Sequence, residues 1–254
     1  MVQKLKSKNI NDSYFDGYYK EIWRAVIPDE LTVKEVDFME QYFNLKQGSK
    51  ILDIMCGYGR HAFALAKKGI FVTAVDNLPD YVNEIKKIAE QEQLPVTALE
   101  TDVLHYETKD FFDLAICMGN SLNFFDADDT MKLMSTIFSH LKPGGHLLIN
   151  SWSLTEIVAK HFIDRGWREA AGLKFLIESK FLFHPTRVET EHTIISPGGD
   201  TERKTGIDYI FSISEIETML NKAGFILKEI YSIPGKKKFT LGEPRAYIVA
   251  EKTN

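Results

Sequence analysis

Cysteine is scarce. Only Cys56 and Cys117 occur in a chain of 254 residues, too few for a disulfide framework and pointing to a reducing, cytoplasmic setting. Long apolar runs are missing too, and no segment approaches the roughly 18 apolar residues of a membrane span. The Lys-rich start, Met1 to Asn11, lacks the apolar stretch of a signal peptide. Positive charge is not in excess either. Lys and Arg number 31 against 36 Asp and Glu, a formal net charge of -5. That balance argues against a bulk electrostatic grip on nucleic acid or anionic lipid. What is present is ordinary globular composition, 44% hydrophobic and 26% charged, which excludes collagen, coiled coil and disorder. The length buries a core without staples and suits one large α/β domain, or such a domain with an insert.

From about residue 50, strand and helix alternate. Lys50–Met55 is a β-rich run ending at Gly57-Tyr58-Gly59, and Ala62, Leu65 and Ala66 then follow at helical spacing until Gly69. Further strands are expected at Ile70–Val75, Val96–Leu99, Phe112–Met118 and His146–Asn150. Pro79 opens one helix and another crosses 128–141, with Lys142-Pro143-Gly144-Gly145 read as a stop and turn. Near-continuous apolar strands separated by helices mean a parallel sheet covered on both faces. After Trp152, Ser153-x-x-Glu156 reads as a capping box for a helix ending near Gly166. Residues 173–211 alternate with period two, which predicts antiparallel strands turning at His184-Pro185 and at Ser196-Pro197-Gly198-Gly199. A second capping box, Ser214-x-x-Glu217, opens a helix that Gly224 ends, and Phe225–Tyr231 and Ala246–Ala250 form a last strand pair.

Gly57-x-Gly59-x-x-Ala62 lies between a strand and a helix and fits the loose dinucleotide fingerprint. Glycines there let backbone N–H groups approach a ligand closely, and charge decides which ligand. A pyrophosphate would sit at the helix N-terminus, where Asp53 repels it. A ligand carrying an ammonium is attracted instead. S-adenosyl-L-methionine has that ammonium, a cationic sulfonium, a ribose diol and an adenine. On this reading Asp53 accepts from the ammonium, directly or through water, and Gly57 and Gly59 allow close backbone approach. Asp76, ending the second strand, accepts both ribose hydroxyls. Asp102, ending the third, accepts from the adenine amine while Val103 donates its N–H to the ring. Cys56, Asn77 and Met118, adjoining these strand ends, complete the expected cofactor-binding set.

These residues carry a resemblance. Asp53-Ile-Met-Cys-Gly-Tyr-Gly59-Arg-His61, Val-Thr-Ala-Val-Asp76, Thr-Asp102-Val103 and Leu-Lys-Pro-Gly-Gly145 resemble the class I S-adenosylmethionine-dependent methyltransferases. The resemblance implies a Rossmann-like seven-stranded sheet with its last strand antiparallel, and an antiparallel β insert beside it. It also implies methyl transfer to a small-molecule amine or hydroxyl by in-line displacement in a closed pocket. The Asn/Asp-Pro-Pro-aromatic motif of amine-specific nucleic-acid methyltransferases is absent, as is a Pro-Cys nucleophile, since Cys117 follows Ile116. Gly119-Asn120-Ser121 and Tyr14-x-Asp16-Gly17, followed by Trp23, resemble glycine N-methyltransferase-like enzymes. Carried over, Asn120 contacts the acceptor and the Tyr14 hydroxyl faces the sulfonium, as the catalytic pair. That group's N-terminal arginine has no counterpart here. A broader likeness, to a set of bacterial methyltransferases, includes Glu35-Val-Asp-Phe38, the Cys-Gly-Tyr-Gly-Arg-His turn and Pro244-Arg245.

The expected plan is one methyltransferase domain. Residues 1–45 form an N-terminal helical lid, 46–151 the cofactor-binding core, 166–212 the β insert on the acceptor side, and 213–254 the last helix and strand pair. The aromatic stretch 14–23 reads equally as a lid helix or a core-packed one. Arg60, a cation at a helix start, needs a partner, either the ligand carboxylate or a salt bridge. His184, Arg187 and His192 face the acceptor or solvent, and Lys236-Lys237-Lys238 reads as a solvated loop. The expected partner is a small-molecule acceptor, with no nucleic acid, no membrane and no metal, and a homodimer stays open. Two alternatives stand beside this reading: an NAD(P)-dependent Rossmann oxidoreductase, and a non-catalytic S-adenosylmethionine-binding module.

Overall fold

The computed structural model describes residues 9–253. In chain order, α1 (Gly17–Val26) and α2 (Asp29–Tyr42) precede β1 (Lys50–Ile54), α3 (Arg60–Ala66), β2 (Phe71–Asp76) and α4 (Pro79–Gln91). Next come β3 (Val96–Glu100), β4 (Phe112–Cys117), α5 (Ala127–His140), β5 (Leu141–Ser151) and α6 (Thr155–His161). Four strands follow, β6 (Arg165–Ala170), β7 (Leu173–Phe183), β8 (Thr186–Ile195) and β9 (Thr201–Tyr209). The chain ends with α7 (Ile213–Ala223), β10 (Phe225–Ile233), β11 (Lys237–Lys238) and β12 (Ala246–Lys252). Two compact units result. The smaller joins the chain up to Ile27 with Ile163–Asp208, and the larger joins Pro28–Phe162 with the chain from Tyr209 onward.

The larger unit holds a sheet in the order β11-β10-β12-β5-β4-β1-β2-β3. Strands β1 to β5 are mutually parallel, while β12 runs antiparallel to both β5 and β10. This is the expected Rossmann-like sheet with one correction. It has eight strands rather than seven, because Lys237 and Lys238, expected in a loop, pair antiparallel with β10 as a two-residue edge strand. Successive strand residues face opposite sides. Leu52, Ile54, Ala115, Leu147 and Ile149 pack with Leu133 and Ile137 of α5 and Leu220 of α7. Ile51, Val72, Ala74, Leu114 and Ile116 pack with Met39 of α2, Leu65 of α3 and Val82 of α4. The chain winds outward from β1 through β3 and then returns to β4 on the other side of β1. The carboxyl ends of β1 and β4 therefore flank the topological switch point, where open α/β sheets bind ligands.

Three local expectations are corrected. Lys142-Pro143-Gly144-Gly145 is not a turn outside the sheet but part of β5. The register steps from Phe112↔Leu141 to Leu114↔His146, so these residues form a bulge, a place where a proline lacking an N–H is tolerated. The helix after Trp152 starts at Thr155 without a side-chain cap and ends at His161. Its expected capping residues are engaged elsewhere: the Ser153 hydroxyl accepts from Asn120 Nδ2 at 2.8 Å, and the Glu156 carboxylate accepts the Ile213 N–H at 3.1 Å. Gly166 then falls within β6. The capping box of α7 is Ser212 with Glu215, two residues before the expected pair, because the Ser-x-x-Glu pattern occurs twice in overlap. Gly224, at φ 99°, ends that helix as expected.

The smaller unit is the sheet β6-β7-β8-β9, antiparallel between β6 and β7 and between β7 and β8. Ile22 of α1 is buried with Leu173, Phe175 and Ile194, so α1 supplies part of this unit's core. The segment before α1 is fastened in the same way. Asn11 donates to the Ile207 carbonyl at 2.9 Å and accepts the Ile207 N–H at 2.9 Å, and the Tyr18 N–H donates to Glu202 at 2.8 Å. Among the described residues, no helix is long and apolar enough to cross a membrane.

Candidate cofactor and methyl-transfer site

Past β1 the chain turns through left-handed residues: Met55 at φ 54°, Gly57 at 55° and Gly59 at 79°. At Gly59 a β-carbon would lie 2.9 Å from Ile85 Cγ1 of α4, so glycine is what lets α3 and α4 approach. At Gly57 a β-carbon would meet nothing within 4 Å, which leaves open space beside the turn. The turn is tied to β2 by two bonds, Cys56 N–H to the Val75 carbonyl at 3.1 Å and Gly57 N–H to Asp76 Oδ2 at 2.8 Å. Asp76 Oδ1 accepts the Leu78 N–H at 3.0 Å. Asp76 is thus buried at its strand end and held by the backbone N–H groups of Gly57, Leu78 and Asn77.

Asp53 is 1% exposed, and its buried Oδ2 has no hydrogen-bond partner. Burial pushes its carboxyl up to about 7, against the pull of the Arg60 cation and with a further push from Asp76. A buried carboxyl oxygen without a donor is costly and uncommon in a native core. It is the feature expected where an ammonium is to be received, so the residues fit the cofactor.

The remaining sequence-derived positions divide. Asp102 is about half exposed at its side chain and caps its own short turn, accepting from the Leu104 N–H at 2.9 Å and His105 Nδ1 at 2.7 Å. Val103 is buried behind it, Asn77 is exposed just past β2, and Met118 is buried just past β4. Cys56 is half-buried and Cys117 fully buried. Burial raises both thiols, Cys117 to about 12, and the Asp53 charge adds to both shifts.

Asn120 is 1% exposed and its side chain is committed to the protein. Its Oδ1 accepts the Trp152 and Ser153 N–H groups at 2.9 and 3.0 Å and the Ser151 hydroxyl at 3.2 Å, while Nδ2 donates to Ser153. Asn123 joins the same network through Ser151 and the Ser153 carbonyl. In the smaller unit, the Tyr14 hydroxyl and His192 Nδ1 share a hydrogen bond at 2.6 Å. The His192 ring stacks on Tyr19 with centroids 5.2 Å apart. Burial lowers His192 to about 4 and raises Tyr14 well above its ordinary value, so both groups are neutral near pH 7. Of the other insert candidates, Arg187 binds Glu189 and the carbonyls of its own turn, and His184 is exposed.

Sequence reasoning missed one cluster. Arg60 pairs with Glu35, which also receives His61 and Tyr247. The signal was available: Glu35 stands among the buried positions Thr32, Val36, Phe38 and Met39 of α2, where a lone acid needs cationic or polar company. Among the described residues there is no group of three or more His, Cys, Asp or Glu that could hold a metal.

The fold agrees with that of known proteins. Residues 51–145 match the family model for a methyltransferase domain. A ubiquinone biosynthesis O-methyltransferase of Coxiella burnetii is 28% identical over 179 residues, covering 60% of this chain and 74% of that protein. An S-adenosylmethionine-dependent methyltransferase from Clostridium acetobutylicum superposes with a TM-score of 0.79 at 18% identity, covering 93% of this chain and 96% of that one. The amino pentose methyltransferase from Micromonospora echinaspora gives 0.70 at 18% identity, covering 94% and 98%. The chain belongs to the class I S-adenosylmethionine-dependent methyltransferases. It is an enzyme, and its cofactor is S-adenosyl-L-methionine.

Proposed function

We propose that this enzyme methylates a small molecule at an amine or hydroxyl, with Asp53 receiving the cofactor ammonium. The observation that carries the reading is the buried, unpartnered Oδ2 of Asp53 at the switch point, together with the open space beside Gly57. S-adenosylmethionine supplies an electrophilic methyl on a sulfonium leaving group. Everything else falls to the chain's own residues. Gly57 and Gly59 give close backbone approach, Asp76 takes the ribose hydroxyls, and Asp102 with Val103 takes the adenine. Cys56, Asn77 and Met118 line the strand ends beside them. Catalysis of an in-line displacement is mostly alignment and exclusion of water.

Tyr14 and Asn120 serve the transfer in different ways. Tyr14 takes the role that the resemblance implies, with its hydroxyl toward the sulfonium. Asn120 acts by fixing Ser151–Ser153 rather than by touching the acceptor. An amine must arrive neutral, whereas a hydroxyl needs a proton acceptor. The amino pentose methyltransferase neighbour supports the first and the ubiquinone O-methyltransferase relative the second. The acidic net charge supports an acceptor other than nucleic acid. The test is transfer of labelled methyl groups to panels of small amines and phenols, with RNA alongside. Turnover on a small molecule supports the reading, and turnover confined to RNA contradicts it.

A further inference from the structure

Gly206 lies inside β9 and is buried. Its backbone is not left-handed, so no turn requires a glycine there. A β-carbon at this position would lie 2.8 Å from Tyr14 Cε2, 2.9 Å from Cδ2 and 3.2 Å from Cζ. The Tyr14 ring therefore rests against the β9 backbone, in space that any other side chain at 206 would fill. The approach is fastened beside it. Asn11 exchanges two hydrogen bonds with Ile207, the next residue of β9, and the Tyr14 N–H donates to the Asn11 carbonyl at 3.1 Å.

The hydroxyl end of the ring is fixed separately, by the 2.6 Å hydrogen bond shared with His192 Nδ1 of β8. That imidazole is itself held from two sides. It stacks on Tyr19 of α1 with centroids 5.2 Å apart and stands perpendicular to Phe175 of β7 at 5.7 Å. Tyr19 also packs directly on Tyr14, with centroids 4.5 Å apart. Restraints from α1, β8 and β9 thus converge on one phenol. Stability does not call for this arrangement. A glycine in a strand interior weakens the strand, and a buried hydroxyl–imidazole pair gains little over apolar side chains that need no partner. Local rules given up together at one ring mark a place where the position of that side chain matters.

We propose that Gly206 and His192 are positioning residues that set where the Tyr14 hydroxyl points. Gly206 gives the ring its depth against β9, and His192 gives the hydroxyl its direction. The proposal rests on the assignment of Tyr14 to the cofactor sulfonium. A tyrosine oxygen aimed at a sulfonium favours S-adenosylmethionine, which carries that charge, over S-adenosylhomocysteine, which has a neutral thioether in its place.

The test is calorimetric binding of each of these two ligands, read as the ratio of their affinities, with thermal unfolding followed alongside. Loosening of the fold weakens both ligands alike and leaves the ratio unmoved, so the ratio separates positioning from a structural role. Tyr14→Phe is expected to lower the preference for S-adenosylmethionine about threefold, as for loss of one oriented polar contact, with S-adenosylhomocysteine affinity near that of the wild type. Gly206→Ala and His192→Phe are expected to lower the ratio in the same way, and neither to lower it further in the Tyr14→Phe background. His192→Asn, which returns a polar atom close to the place of Nδ1, is expected to recover the ratio. Gly206→Ala should also lower the melting temperature equally in both backgrounds, because Phe keeps the ring that the new methyl meets. A folded Gly206→Ala or His192→Phe that keeps the wild-type ratio while Tyr14→Phe loses it overturns the proposal and leaves the assignment of Tyr14 standing. A further drop in the Tyr14→Phe background also overturns it, since the residue then acts by another route. If Gly206→Ala does not fold, His192→Phe decides. A wild-type ratio in Tyr14→Phe instead overturns the assignment of Tyr14, and the proposal falls with it.

Discussion

Asp76 Oδ2 accepts the backbone N–H of Gly57 at 2.8 Å, so the acid ending β2 also shapes the glycine turn ending β1. One residue thus sets the turn and, on the proposed reading, also takes the ribose. Asp76→Ala is expected to lose on both counts. Backbone donors, those of Gly57 and Leu78 and of Asn77, are left unpaired at a cost of about 1–3 kcal/mol each if they stay dry. Urea unfolding measures that loss, and titration with S-adenosylhomocysteine is expected to show affinity weakened by about tenfold or more through the lost ribose contacts. Unchanged affinity in a folded variant would contradict the assignment.

The two glycines of the turn should respond differently to alanine. At Gly59 the new methyl meets Ile85 Cγ1 at 2.9 Å in a left-handed backbone, so a stability loss of about 1–3 kcal/mol is expected. At Gly57 the methyl enters open space, and the left-handed backbone alone costs about 1 kcal/mol. Gly57→Ala should therefore lose more cofactor affinity than stability. Paired melting curves and binding titrations separate the two cases, and equal losses in both would argue against a ligand beside Gly57.

Asn120→Ala removes the acceptor for two backbone N–H groups and the Ser151 hydroxyl in a fully buried network. The expected destabilisation is about 2–4 kcal/mol, the sum of unpaired donors in a low-dielectric setting. Transfer is expected to fall more than cofactor affinity as the segment after β5 loosens. If affinity falls first, Asn120 belongs with the cofactor contacts.

Tyr14→Phe removes the 2.6 Å bond to His192. The turnover rate is expected to drop about tenfold or more with cofactor affinity little changed, as for loss of one oriented polar group. His192, held near 4 by burial, should contribute no inflection to the pH–rate profile at neutral pH. An inflection that disappears in His192→Gln would mean that the imidazole titrates during turnover.

Much of this was legible in the sequence, for physical reasons that also explain what was not. Gly57 and Gly59 lie in the turn between β1 and α3 and Asp76 ends β2, so spacing alone locates them at strand ends. The parallel strands announce themselves through near-continuous apolar runs such as Lys50–Ile54 and Phe112–Cys117. Asn120 differs because its partners lie in the segment after β5, and a polar residue that closes a long-range network looks the same in sequence as one awaiting a ligand. Glu35 and Tyr247 meet across 212 positions, a contact no local pattern reports. The capping boxes misled for a simpler reason: Ser-x-x-Glu recurs, and only tertiary contacts decide which copy caps. Lys142-Pro143-Gly144-Gly145 carries turn chemistry that the fold uses as a bulge inside a strand.

The central claim is that Asp53 receives the cofactor ammonium, and its most direct test is the pH dependence of S-adenosylhomocysteine binding to the wild type and to Asp53→Asn. In the free protein burial holds the carboxyl at about 7, so below that pH it is protonated and must lose its proton to bind a cation. Wild-type affinity should therefore rise about tenfold per pH unit on approaching neutrality and level off above about 7. Asp53→Asn should bind weakly and without that slope. Tight binding by Asp53→Asn with the wild-type pH profile would contradict the claim.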